Sequence, residues 1–268
     1  MSKRLARKTI SSLPSSSGGD ALLKCLRPLG VGVSPSLRCH PCFNTPPRLA
    51  LCVFDNVLPA CPLAVVPDTA VWTVGSVHDS DVDGVMPPPE VCLAALPPGQ
   101  QNRLFEAYYL ALYFAFNACR NRSTWSAWQT QQMPPNTTHW EGRHVATAFL
   151  RSLSQVALTP PLDIFISMSH YAVSHSCRLS RDGSRMQIGG PTLALLPVVD
   201  ATLIEGNEEA NVSLQKCDAR HVRNLKKTHP LLYARRCLQS KSDEAGYWVL
   251  QTTKSVAKGE RLILRYER

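Results

Sequence analysis

Near the carboxyl end of the sequence, residues 247–266 read YWVLQTTKSVAKGERLILRY. The two ends of this stretch, 247–253 and 262–266, are rich in aromatic and aliphatic residues that favour β-strands. Between them, residues 258–260 read Lys-Gly-Glu, and the glycine supplies the backbone freedom that a tight turn requires. The stretch therefore predicts a β-hairpin that closes on Tyr266.

Further β-structure is predicted upstream. Residues 193–199 form an apolar run that ends at Asp200, and residues 210–216 have the length of a short strand. Closer to the amino terminus, two apolar runs, RLALCVF at 48–54 and VLPACPLAVVP at 57–67, are separated by a turn. This arrangement predicts either a hairpin or a pair of edge strands.

Helices are predicted between these two groups of strands. Residues 101–120 carry apolar side chains at every third or fourth position, which is the spacing of one helix face. A second helix is predicted at 141–157 and a third at 162–178, where Asp163 suits the first turn. Two proline-rich segments, 24–47 and 75–100, are expected to be irregular.

Five stretches, taken in order, resemble the SET domain of the Rubisco lysine methyltransferase-like branch. They are FDNVLPACPL with Val65-Val66-Pro67 at 54–67, LALYF at 110–114 followed by Trp125, FISMSHYAVSHSCR at 165–178, LPVVD at 196–200 followed by Asn211, and the terminal stretch 247–266. The resemblance implies an α+β fold: a β-rich SET domain with short sheets around a pseudoknot and a helical insert. The expected domain spans 23–268, with the helical insert at about 100–180 and a basic insert at about 214–245.

The resemblance also implies which positions would serve catalysis. SET enzymes transfer a methyl group from S-adenosylmethionine to a lysine amine, and Tyr266 matches their terminal catalytic tyrosine. The positions that correspond to cofactor-binding residues are Asp200, Leu203, Ile204 and Asn211. Tyr266 would act as a catalytic residue only if the chain is active.

The sequence departs from the family pattern at two cofactor motifs. The family's Gly-x-Gly turn aligns with Arg48-Leu49-Ala50, and its Asn-His pair aligns with Leu203-Ile204. Gly30-Val31-Gly32 is the alternative, a displaced copy of the turn that lies earlier in the chain than the family pattern places it. Aliphatic side chains form no hydrogen bonds, and each polar group left unpaired on burial costs about 1–3 kcal/mol. Two or three such losses weaken binding by roughly a hundredfold or more. We therefore expect no bound cofactor, and S-adenosylmethionine only if the chain is active.

Basic charge is concentrated in two segments. The formal net charge is +9, and residues 1–50 and 214–241 each contain eight Lys or Arg against one acidic residue. Segregated basic charge favours a polyanionic partner, so the expected partners are RNA and the proteins of a ribonucleoprotein complex, with neither DNA nor a membrane. The residues expected to contact RNA are Lys3, Arg4, Arg7, Lys8, Arg220, Arg223, Lys226, Lys227, Arg235 and Arg236.

The amino-terminal residues favour a mitochondrial location. Residues 1–19 contain four basic residues and no acidic residue, and they are rich in serine, which is typical of a mitochondrial targeting segment. A basic arm that clasps RNA has the same composition. We therefore interpret residues 1–22 as a flexible arm or targeting segment, and cytoplasmic or nuclear location remains the alternative.

The cysteines are interpreted as buried thiols. The ten cysteines are scattered and several lie in apolar runs, which is typical of reduced side chains rather than a disulfide framework. Cys39 and Cys42 have the spacing of metal ligands, but no second such pair follows, so no metal site is predicted.

Three functions are compatible with the sequence. The favoured one is a non-catalytic SET-fold protein that serves as a structural or assembly subunit of an RNA-rich complex, with the mitochondrial ribosome as the candidate. The alternative is an active S-adenosylmethionine-dependent protein-lysine methyltransferase with divergent motifs. A third is a module that binds a peptide in the former lysine channel without modifying it.

Overall fold

A computed structural model describes residues 26–42, 48–80, 84–119, 140–179, 192–202, 209–232 and 246–264. The strands within these residues are β1 (Gly32–Val33), β2 (Leu37–Cys42), β3 (Arg48–Val53), β4 (Pro62–Pro67), β5 (Cys177–Leu179), β6 (Thr192–Ala194), β7 (Val212–Cys217) and β8 (Tyr247–Thr252). The α-helices are α1 (Val74–Ser80), α2 (Pro89–Ala95), α3 (Gln101–Cys119), α4 (Arg143–Leu153), α5 (Leu162–His175) and α6 (Ala219–Thr228).

Strand β4 lies at the centre of the largest sheet. The sheet has the order β1-β4-β8-β7, and all of its pairs are antiparallel. Ala64 and Val66 face one hydrophobic core, whereas Val65 faces another with its partner Val249. The side chains of residues 62–66 are buried, as a strand covered on both faces requires.

The prediction that 48–54 and 57–67 form a hairpin is wrong. Strand β3 pairs with β2, from Leu37 opposite Val53 to Cys42 opposite Arg48, while β4 pairs with β1 and β8. Because β4 is buried on both faces and paired on both edges, it is not an edge strand either. The two runs were correctly predicted as strands, but their partners lie elsewhere in the chain.

The prediction of irregular structure in two segments is also wrong. Strands β1 and β2 lie within 24–47, helix α2 lies within 75–100, and helix α1 covers all but its first residue in that range. Both helices have only seven residues, and α2 begins at Pro89, where a missing N–H costs nothing because the first turn has no intrahelical acceptor. Elements this short are too brief to show a periodic pattern in sequence.

The three longer helices are confirmed and pack together in a second core. Helix α3 is buried almost all round, with residues 107–112 all buried, and it packs chiefly against α5. Its Tyr108 ring contacts the rings of Phe149 in α4 and Phe165 in α5, with centroids 5.3 and 5.8 Å away. Among the described residues, no helix combines the length and apolar character needed to cross a bilayer.

Glu106 of α3 connects this helical layer to the small β5-β6 sheet. Its Oε2 lies 3.3 Å from the guanidinium of Arg178, and its Oε1 accepts a hydrogen bond of 3.2 Å from the backbone N–H of Leu193. The charged Glu106 side chain therefore has a structural role in this largely buried helix. It holds both strands of the β5-β6 sheet to α3.

Replacing Glu106 by alanine is expected to lower the free energy of unfolding by about 1–2 kcal/mol, because the Leu193 N–H loses its acceptor and Arg178 loses its ion pair with Glu106. Replacement by glutamine keeps a carbonyl acceptor for Leu193 and should cost less than about 1 kcal/mol. Urea denaturation of the two variants measures the difference. Equal losses in both variants would show that the Leu193 hydrogen bond contributes nothing.

The carboxyl-terminal stretch is only partly as predicted. Strand β8 is confirmed, and Gly259, with a φ of 75°, forms the predicted turn. The hairpin is wrong, because residues 259–264 do not pair with β8. They lie instead against β3 and against the backbone near Thr202 and Asn211.

Candidate functional site

The residues predicted at the cofactor site divide into two groups. Asp200 lies in a short 3-10 helix (Val199–Ala201) after β6, and Asn211 immediately precedes β7. The other positions, Leu203, Ile204 and Tyr266, lie outside the described residues.

The backbone before Asp200 has an unusual conformation. Val198 has a φ of 76° and a ψ of −48°, a region that β-branched residues rarely occupy. Such a conformation costs about 1–3 kcal/mol and persists only where the surroundings impose it. Val198 is fully buried, and Asp200, next but one, is 2% exposed. The tight turn directs the chain so that a carboxylate enters the protein interior.

Two aromatic residues of α5 bind Asp200. The hydroxyl of Tyr171 donates a 2.6 Å hydrogen bond to Asp200 Oδ2, and His175 Nδ1 lies 3.1 Å from the Asp200 backbone oxygen. The rings of Tyr171 and His175 stack, with centroids 4.9 Å apart. We call these three residues the buried aspartate cluster. All three are buried, so the cluster is closed to solvent.

Burial decides the protonation of Tyr171 and of the nearby Cys177. Burial raises the pKa of Tyr171 well above its usual value, and the charge of Asp200 and the hydrogen bond to it raise it further. Tyr171 is therefore a neutral phenol at neutral pH, and its hydroxyl donates a hydrogen bond to Asp200. Burial, with the charge of Asp200, also raises the pKa of the Cys177 thiol to about 12, so this thiol is protonated and unreactive.

Sequence reasoning did not identify Tyr171. Tyr171 lies within residues 165–178, one of the stretches that resemble the SET domain, but the resemblance gives it no role. A signal was nevertheless present, because a tyrosine on the most buried face of a predicted helix needs a partner for its hydroxyl. The described structure shows that this partner is Asp200.

Asn211 forms hydrogen bonds to residues 260–263 through both the oxygen and the nitrogen of its side-chain amide. Its Oδ1 accepts a 2.7 Å hydrogen bond from the backbone N–H of Ile263, and its Nδ2 donates to the backbone oxygen of Arg261 at 2.8 Å. A longer contact of 3.4 Å joins Nδ2 to Glu260 Oε1. Asn211 is 1% exposed. Its side chain thus takes the place of a missing strand partner for residues 261–263.

Backbone hydrogen bonds hold the terminal stretch on two sides. On one side, Leu262 N–H donates to the Leu51 oxygen of β3 at 2.8 Å. On the other side, Leu264 N–H donates to the Thr202 backbone oxygen at 3.0 Å, and the Asn211 backbone N–H donates to the Ile263 backbone oxygen at 3.1 Å. Residues 259–264 therefore lie between β3 and the segments that flank residues 203–208.

The described residues offer no metal site. No group of three or more His, Cys, Asp or Glu side chains within them is arranged to hold a metal ion. Cys39, one of the two cysteines with metal-ligand spacing, lies buried in β2. His170 stacks on Trp140, with ring centroids 5.2 Å apart, and so has a packing role.

Helix α6 carries the described part of the predicted RNA-binding residues. Arg220, Arg223, Lys226 and Lys227 are all exposed on this helix. Asp218 caps its first turn by accepting a 2.6 Å hydrogen bond from the N–H of His221. The remaining residues expected to contact RNA lie outside the described residues: Lys3, Arg4, Arg7, Lys8, Arg235 and Arg236.

No protein-family model and no curated protein sequence matches this chain. Several solved structures do. The SET domain of LSMT with bound lysine and AdoHcy has a TM-score of 0.57 and 15% identity, and the match covers 95% of this chain and 55% of that one. The structure of Rubisco LSMT bound to AdoMet has a TM-score of 0.55 and 14% identity, with coverage of 95% and 53%.

These matches show the fold. The chain has the α+β SET fold that the sequence predicted, and the match extends over nearly all of it. The chain spans about half the length of the solved structures, at 53–55% in those compared above. At an identity of 14–15%, the likeness concerns the path of the backbone.

Proposed function

We propose that this chain is a SET-fold protein without methyltransferase activity, and that it serves as a structural or assembly subunit of an RNA-rich complex. The observation that carries the proposal is that both described polar residues of the expected cofactor site form hydrogen bonds within the protein. Asp200 is bound by α5, and Asn211 is bound by the terminal stretch.

The chemistry of S-adenosylmethionine explains why these internal hydrogen bonds support the proposal. The cofactor has a carboxylate, an ammonium group, ribose hydroxyls and an adenine, and a site that buries them must supply a partner for each. Asn211 has used its acceptor on Ile263 and its donors on Arg261 and Glu260. Asp200 faces the hydroxyl of Tyr171, and both residues are buried.

The sequence supports the same conclusion at the remaining positions. Leu203 and Ile204 carry no hydrogen-bonding side chains. The alignment of the family's glycine turn with Arg48-Leu49-Ala50 adds no support, because these residues lie within strand β3 and form no turn. The residues present do not fit the cofactor, so we assign no chemical step that uses it.

Calorimetric titration with S-adenosylmethionine and with its homocysteine product tests this proposal. We expect no binding tighter than about 1 mM, because the polar groups of the ligand would stay unpaired. Rubisco LSMT, titrated under the same conditions, is the positive control. A dissociation constant in the micromolar range for this chain would contradict the proposal.

The alternative is an active protein-lysine methyltransferase. It is favoured by the similarity to solved structures of LSMT that hold lysine, AdoHcy or AdoMet. Incubating the purified chain with radiolabelled S-adenosylmethionine and a mixture of unmodified proteins tests it. Label that appears in a substrate, and disappears when Tyr266→Phe replaces the wild type, would establish the enzyme.

The RNA-rich complex and its mitochondrial location are supported by charge and composition. Two basic segments and a basic, serine-rich amino-terminal arm suit a protein that is imported and then held on RNA. Native purification, followed by mass spectrometry and sequencing of the associated RNA, identifies the complex. We expect ribosomal proteins and ribosomal RNA among the partners, and their absence would remove the ribosomal assignment.

A further inference from the structure

The connection between α4 and α5 exposes three large apolar side chains at one end of this helix pair. Val156 is 72% exposed, Leu158 69% and Leu162 40%. They are three of the six large hydrophobic side chains that are exposed among the described residues. Single exposed apolar residues are ordinary, whereas a concentration of them in one short segment is typical of an interaction surface. We call Val156, Leu158 and Leu162 the apolar patch.

The apolar patch lies on an ordered segment of backbone. The N–H groups of Val156 and Ala157 both donate to the Leu153 oxygen, at 3.0 and 2.9 Å, so the last turn of α4 extends as far as the patch. Pro160 is buried, and it and the following Pro161 restrict the backbone where α5 is about to begin. Because the backbone is already ordered, covering the patch costs little conformational entropy.

One cation and one anion lie at the two ends of this connection. Arg151 is in the last turn of α4, and Asp163 is in the first turn of α5. The rings of Phe149 and Phe165 stack with centroids 5.6 Å apart, so both charged residues lie at the same end of the helix pair as the patch. Both are exposed, and the sequence between them contains no other charged residue. Within the described part of the chain neither forms an ion pair, so the two charges do not neutralise each other.

These two charges of opposite sign decide which kind of partner fits the patch. Surfaces that enter an anionic membrane carry basic residues around their apolar part, and Asp163 would be repelled there. RNA would repel Asp163 as well, and its phosphates would not cover the apolar side chains. A second copy of the chain fits both features. A two-fold axis places the cation of each copy opposite the anion of the other and covers both apolar patches.

We infer that two copies of this chain associate through the apolar patch, with Arg151 of each copy paired to Asp163 of the other copy. The apolar side chains form the centre of the interface and the charged residues form its rim, which is the usual arrangement. Because the centre is small, we expect a weak dimer with a dissociation constant of about 10 µM. The inference does not depend on the proposed function, since neither the cofactor site nor the basic segments take part.

Sedimentation velocity of the full chain over a series of concentrations tests the inference. Leu158→Ser should weaken the dimer at least about tenfold, because it buries a hydroxyl in the centre of the interface. Leu58→Ser is the matched control, since Leu58 is 75% exposed but lies between β3 and β4, and this variant should dimerise like the wild type. A wild-type chain that stays monomeric at every concentration, or equal losses in the two variants, would overturn the inference.

Charge reversal tests the pairing of the two copies. Arg151→Glu places like charges opposite each other at both ends of the two-fold interface, and Asp163→Arg does the same with the other sign. Each variant alone should therefore dimerise at least about tenfold more weakly than the wild type. In an equimolar mixture of the two variants, every pair is again of opposite sign, and the mixed dimer should recover to within about threefold of the wild-type affinity. A mixture that dimerises no better than either variant would contradict the pairing.

Two controls separate the pairing from general effects of charge and stability. Arg143→Glu changes the same charge at the other end of α4, about 12 Å away, and should leave the dimer unchanged. Thermal unfolding of the charge variants checks the fold, because Arg151 and Asp163 also suit the dipoles of their helices. Recovery in the mixture cannot come from altered stability, since it contains the same two proteins. Phosphatidylserine vesicles that bind the wild type but not Leu158→Ser would assign the patch to a membrane and overturn the inference.

Discussion

We expect replacement of Asn211 by alanine to lower the free energy of unfolding by about 2–5 kcal/mol. The change leaves the Ile263 N–H and the Arg261 oxygen without their partner in a buried setting, and each orphaned group costs about 1–3 kcal/mol. Urea denaturation measures the loss. Amide hydrogen exchange should accelerate at Ile263, because this amide depends on the asparagine side chain.

Asn56 supplies the control for this experiment. Its Oδ1 accepts a 2.9 Å hydrogen bond from the Lys258 N–H in the same terminal stretch, but Asn56 is exposed. Asn56→Ala should therefore cost less than about 1 kcal/mol, since water replaces the lost partner. An Asn211→Ala protein as stable as the wild type would show that the terminal stretch is held by its backbone hydrogen bonds alone.

The second large effect is expected at Tyr171. Tyr171→Phe removes the donor that faces the buried Asp200 carboxylate at 2.6 Å, and we expect a loss of about 2–4 kcal/mol. The loss should be smaller when Asp200→Asn is present as well, because a neutral amide is less costly to bury than a charge. A double-mutant cycle measured by urea denaturation gives the coupling between the two residues.

Tyr108→Phe is the matched control, because it makes the same change at another buried tyrosine. The Tyr108 hydroxyl is buried and has no hydrogen-bond partner among the described residues. Removing it should leave stability unchanged or raise it, since a buried polar group without a partner is unfavourable. Similar losses in the Tyr108 and Tyr171 variants would mean that ring packing, and not the Asp200 bond, sets the effect.

The sequence predicted the elements of the fold better than their partners. The apolar spacing in α3, α4 and α5 is long enough to reveal a helix, and the strand preference of β8 is equally clear. The partners of β4 and of the terminal stretch are set by contacts between distant parts of the chain. Local pattern favours the nearest partner, which is why both predicted hairpins were wrong.

In the candidate site, likewise, the sequence predicted the residues but not their hydrogen-bond partners. Asp200 and Asn211 were identified from their positions in a family pattern, and the structure describes both as buried polar residues. Their hydrogen bonds to Tyr171 and to Ile263 depend on how α5 and the terminal stretch come together. Sequence pattern carries residue type and spacing, but a partner 29 or 52 residues away is fixed only by tertiary packing.

The position of β4 has a consequence for how the chain acquires its structure during synthesis. One edge of β4 is completed only by β8, and residues 259–264 must then settle against β3. A nascent chain therefore exposes an apolar strand with an open edge until residues 247–264 have left the exit tunnel. Such late, long-range pairing makes folding slow and creates a period in which a chaperone is needed to prevent aggregation.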